Sequence, residues 1–157
     1  MTYKSLSALL LVIVAAAGWA AAKPNFTGEW QLNLSKSNYG SMPAPTSLLR
    51  TITHADPSLE IVDDQNGGRR TGVSTRKYMA GQTTNFEING ATVEGSATWE
   101  GNSLIVTTKV ASVGLMFKDK MSLSADGKQL TSDVQIDSNQ GPAHVTLVFE
   151  RQESHST

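Results

Sequence analysis

The chain has 157 residues, a formal net charge of −1 at pH 7 and no cysteine. That length suits one domain, and the near-neutral balance leaves neither a basic stripe for nucleic acid nor a cation-rich face for a membrane surface. Without a thiol there is no disulfide, no cysteine nucleophile and no acylated cysteine anchor, so stability must come from burial and strand pairing.

The first residues form a tripartite pattern. Lys4 is the one cation of Met1 to Ser5, Leu6 to Ala17 is almost wholly apolar, and Ala20-Ala21-Ala22 supplies small residues for cleavage. This is the layout of a removable secretory leader, and its apolar run is short for a span of roughly 20 residues. A signal peptide over residues 1–22, a domain over 23–157 and a secreted or periplasmic location are therefore expected, with no membrane contact after cleavage.

From Gly28 onward almost every segment alternates with period two between turn residues, as half-buried strands do. Gly28 to Leu34 reads as the first strand. Ser35 to Thr46 reads as a loop, because Pro43 and Pro45 prevent a long helix. Leu48 to His54 and Leu59 to Asp64 follow, joined through Asp56-Pro57, and Asn66-Gly67-Gly68 is a turn. Thr71 to Met79 and Thr84 to Ile88 come next, and Asn89-Gly90 is a two-residue hairpin turn, since both residues tolerate positive φ. Ala91 to Trp99, Leu104 to Ala111, Leu115 to Leu123, Leu130 to Asp137 and Ala143 to Arg151 complete the series. Short connections make antiparallel neighbours, and a meander of about 8–10 strands tends to close because closure removes reactive edges. A closed barrel of that size can hold one small ligand. Sequence alone does not separate a barrel with a cavity from a filled sandwich.

Alternation assigns an inward face. Leu59 and Ile61, Phe86 and Ile88, Val93, Ala97 and Trp99, Leu104 and Val106, Phe117 and Met121, Val134 and Ile136, and Leu147 and Phe149 each share a side of their strand. Lys118 and Lys120 fall on the solvent side. Arg50 alternates with Leu48 and Ile52 and is placed at the barrel mouth. Arg76 and Tyr78 share one face; turned inward they suit a carboxylate head group, through the guanidinium fork and a phenol, and turned outward they belong to a solvated edge strand. The candidate ligand-binding set is Arg50, Arg76, Tyr78, Phe86, Trp99 and Phe117. The Asp run around Pro57 reads as a solvated loop, and Asp63-Asp64 end the strand that starts at Leu59. His54 with these Asp residues lacks any metal-ligand or acid–base spacing, and no nucleophile elbow is present. Neither a catalytic residue, a metal site nor a cofactor is expected.

Phe26-x-Gly28-x-Trp30-x-Leu32 resembles the first strand of the calycins, the lipocalins and intracellular fatty-acid-binding proteins. The resemblance implies that Trp30 packs across the closed end of a barrel against an Arg near the end of the last strand, where this chain has Arg151. Gly28, Trp30 and Arg151 are thus the expected closure set. With the leader, the pattern is similar to small exported bacterial lipocalin-like proteins. The expected fold is all-β, an antiparallel up-and-down meander closing into a lipocalin-like β-barrel of about 8–10 strands. The expected function is that of a monomeric exported binding protein, not an enzyme, that holds a small hydrophobic, lipid-like molecule. The alternative is a protein-binding module with a filled core, similar to periplasmic protease inhibitors whose N-terminal arm enters the protease; here that arm is Lys23-Pro24-Asn25.

Overall fold

The computed structural model describes residues 22–153. The leader expected over residues 1–22 lies, except for Ala22, outside them. Among the described residues no helix is long and apolar enough to cross a membrane.

Ten antiparallel strands form one sheet that curls into a nearly closed barrel. In chain order they are β1 (Gly28–Leu32), β2 (Pro45–Ala55), β3 (Ser58–Gly67), β4 (Gly72–Met79), β5 (Thr83–Ile88), β6 (Ala91–Glu100), β7 (Ser103–Val110), β8 (Leu115–Leu123), β9 (Gln129–Asp137) and β10 (Ala143–Arg151). Around the barrel the order is β4-β3-β2-β1-β10-β9-β8-β7-β6-β5. Every chain neighbour pairs with the next except β4 with β5, and β1 with β10 closes the circuit.

The expected strands are present with shifted ends. β2 begins at Pro45 rather than after Thr46, and β3 continues to Gly67, past the expected turn at Asn66. Pro45 can open β2 because a strand's first residue need not donate to the ladder. Between β1 and β2 the chain makes a single 3-10 turn, Leu34–Lys36, capped by the Asn33 side chain. Asn38 then bonds to Thr146 on β10, extending the seam beyond β1.

An up-and-down meander sends alternate turns to opposite ends. The turns after β2, β4, β6 and β8 share one end with the start of β1 and the end of β10. The β1–β2 loop and the turns after β3, β5, β7 and β9 share the other. The first end is sealed. Phe26, Trp30, Ile52, Leu59, Leu104, Met121, Leu130 and Phe149 are each at most 1% exposed. Fully burying each such side chain contributes about 1.5–3 kcal/mol before entropy is charged against it.

Candidate functional site

The sealed end is built around β1. Trp30 Nε1–H donates to the Phe26 carbonyl at 3.0 Å, and the Arg151 guanidinium lies over the indole, 4.2 Å from its centroid. Arg151 also donates from Nη1 to the Thr27 carbonyl at 2.8 Å and from Nε to the Gly127 carbonyl at 2.9 Å. A Cβ at Gly28 would stand 2.5 Å from Arg151 Nη1, so the guanidinium reaches the indole only because residue 28 has no side chain. Gly28, Trp30 and Arg151 therefore meet at one point and join the first strand to the last.

The chain before β1 also packs here. Phe26 N–H donates to His54 Nδ1 at 3.2 Å, and the Phe26 ring stacks on Trp99 with centroids 6.1 Å apart. Lys23 lies over the outer face of Trp99, 4.8 Å from the ring centroid. Trp99 thus belongs to the sealed end, where its Nε1–H donates to Asp56 at 3.1 Å. The segment Lys23-Pro24-Asn25 lies along the barrel end.

Midway along the lumen, the apolar lining gives way to charge. Arg50 is buried, 4% exposed, rather than at the mouth. It grips Asp63 with both arms of its fork, Nε to Oδ1 at 2.7 Å and Nη2 to Oδ2 at 2.9 Å. Arg76 Nη2 donates to the same Asp63 Oδ2 at 3.0 Å. From the other side of Arg50, Nη1 donates to Ser132 Oγ on β9 at 3.0 Å, and Ser132 Oγ donates on to Asp119 Oδ2 on β8 at 3.2 Å. The Arg50 guanidinium also faces the Phe149 ring at 4.7 Å. A polar bridge therefore crosses the lumen from β2–β4 to β8–β9.

Burial alone would raise the Asp63 carboxyl, but Arg50 and Arg76 outweigh it and hold it below the usual carboxylate range. Asp119 shifts the other way. Burial pushes its carboxyl up against the pull of Arg50, 3.8 Å away, and Arg76. Its Oδ1 is buried with no hydrogen-bond partner. Tyr39, from the β1–β2 loop, is pushed up to about 12 by burial, opposed by Arg50.

Arg76 and Tyr78 do face inward on one side of β4. Tyr78 is nevertheless committed, its hydroxyl sharing a 2.6 Å hydrogen bond with Thr108 on β7, and its ring meets Phe86 edge-on, 5.4 Å between centroids. Asp63, near the end of an expected strand and given no role there, is the centre of the bridge. Asp119, Ser132 and Thr108 complete the polar set and carried no separate expectation.

Beyond the bridge the lining is apolar again but looser. Phe86, Leu115, Phe117 and Val134, with Tyr39 and Met42 from the β1–β2 loop, are only partly buried although they pack on the core. On β8 alternation points Phe117 into the lumen beside Asp119. Shallow hollows elsewhere lie on the outer wall, one of about 340 Å³ beside Gln31, Leu49 and Asp64. Among the described residues no cluster of three or more His, Asp or Glu could hold a metal ion.

The arrangement therefore sets partly buried apolar side chains over a polar bridge. Solved structures share the architecture. The ileal bile acid-binding protein of zebrafish, solved with cholic acid, superposes at TM-score 0.59 with 16% identity, over 81% of this chain and 98% of that one. Fatty-acid-binding protein 1 of Echinococcus granulosus gives 0.57 with 9% identity, over 82% and 98%. Secretory abundant heat soluble protein 4 of Ramazzottius varieornatus gives 0.58 with 14% identity, over 86% and 99%. No family model and no curated protein sequence matches the chain. The shared feature is thus the calycin barrel as a fold.

Proposed function

We propose that this protein is an exported binding protein that holds a small hydrophobic, lipid-like molecule in the open half of its barrel. The observation that carries the reading is the contrast between the two halves. Phe26, Trp30 and Phe149 at the sealed end are wholly buried, whereas Phe86, Leu115, Phe117 and Val134 in the other half are only partly buried. Such a lining gains roughly 25 cal/mol for each Å² of apolar surface that a ligand removes from water, and convergent polar groups at its base would orient the ligand. The fold is one that the bile acid- and fatty-acid-binding proteins named above also use. The leader pattern at the start of the chain supports export to a secreted or periplasmic location.

Native mass spectrometry of the purified protein, with organic extraction of whatever co-purifies, tests this. A discrete adduct, released as an apolar compound, is the expected result. A bare mass together with no uptake of a neutral fluorescent lipid probe would sink the container reading and leave a filled barrel that acts through its outer surface.

A further inference from the structure

Asp119 is the one buried side chain among the described residues whose polar atom goes unpaired. The register explains why. Asp119 stands opposite Val106 on β7 and Val134 on β9, so neither flanking strand presents a donor at its level. Ser132 reaches only Oδ2, and Arg50 stops 3.8 Å short of that same oxygen. Next to it on the inward face of β8 is Phe117, which is only partly buried. A buried oxygen without a partner is costly to keep, and a ligand donor that reached it would remove that cost.

The charge count decides what kind of group would suit it. Arg50 and Arg76 are balanced by Asp63 and Asp119, and three of the guanidinium donors already go to Asp63. A ligand carboxylate would meet an Arg50 whose three nitrogens are already engaged by Asp63 and Ser132 on one side and the Asp119 carboxylate on the other. A ligand ammonium would meet two guanidinium groups. An uncharged hydroxyl disturbs neither balance and brings the donor that Oδ1 lacks.

We infer that the molecule held in this barrel is an uncharged amphiphile whose hydroxyl donates to Asp119 Oδ1, a long-chain alcohol or sterol-like compound rather than a carboxylic acid. This rests on the container reading above and narrows it. It also replaces the carboxylate head group that Arg76 and Tyr78 suggest when read alone.

The test is displacement of bound Nile red from the purified, delipidated protein at pH 8 by four compounds with a ten-carbon chain: decanol, its methyl ether, decanoate and decylamine. Decanol should displace the dye at a concentration about tenfold below the ether, which keeps the oxygen but loses the donor, and below both charged analogues, since an unmet buried partner is worth at least that ratio. Asp119→Asn leaves the cluster with one net positive charge, so the decanol-to-decanoate preference should fall about tenfold. If decanoate competes as well as decanol in the unmodified protein, or if ether and alcohol are equal, the hydroxyl assignment is wrong while the container reading stands. If the dye is not taken up at all, both fail. The alcohol–ether comparison uses the unmodified protein and remains decisive should the Asp119 variant not fold.

Discussion

Trp30 and Asp63 carry opposite kinds of burial. Trp30 is wholly enclosed and its one polar atom is paired within the same strand end. Trp30→Ala should lower stability by about 3–5 kcal/mol, as truncation of a large core aromatic does, read from the urea midpoint at constant slope. A loss below about 1 kcal/mol would mean that the indole does not seal the barrel. Asp63→Ala removes the acceptor of three guanidinium hydrogen bonds. It leaves Arg50 buried without its principal counter-charge, so a loss of about 3–5 kcal/mol is expected. Replacing Arg50 and Asp63 together by Leu should recover part of it, because Arg50 no longer stands uncompensated, while Arg76 and Asp119 remain as opposite charges. If the double variant were as unstable as the single one, the ion pair itself would be the stabilising element.

At the scale of elements, the meander was readable because its turns are chemically marked and its strands alternate. The polar bridge was not, although two signals were present. Equal steps outward from the Asp56-Pro57 turn place Arg50 opposite Asp63, as the ladder has it. Lys118 and Lys120, assigned to solvent, leave Asp119 between them pointing inward. Each aspartate was weighed by its neighbours in sequence, and the partners that make it tolerable lie on other strands. Trp99 was correctly given an inward side, but its height along the barrel follows from the β6–β7 turn, which puts it at the sealed end. The break between β4 and β5 left no mark in the sequence. It is spanned by the Tyr78–Phe86 contact, for which Gly95 makes room: a Cβ there would lie 2.5 Å from the Phe86 ring and 2.8 Å from Tyr78. Gly95→Ala should therefore cost about 1–3 kcal/mol by overpacking. It should also speed amide hydrogen exchange selectively on β4 and β5. A uniform change across all strands would count against a local role for this contact.

For the whole molecule, the two lumen aspartates give stability a pH dependence with two limbs. Asp63 titrates below its ordinary value when folded, so its contribution is complete above about pH 4, the unfolded value, and is lost as pH falls through the folded one. Asp119 titrates above its ordinary value because burial outweighs the pull of Arg50 and Arg76, so the folded state gains as pH falls through that raised value. Stability should rise as pH falls through the raised Asp119 value and then decline below about pH 4. Asp119→Asn should abolish the rise and keep the decline, in urea midpoints measured across pH. A monotonic fall in the unmodified protein would show that Asp119 is not strained in the folded state.

The seam of β1 with β10 has a further consequence for how the molecule is held. Arg151 donates back to the Thr27 carbonyl, and Gln152 N–H donates to the Glu29 carbonyl at 2.8 Å, so the described chain enters and leaves at the sealed pole. A tag, a fused partner or a solid support joined through either end would grip the barrel by its base and leave the opposite opening facing outward. Immobilised this way, a layer of the protein would present uniformly oriented openings without engineering of a loop.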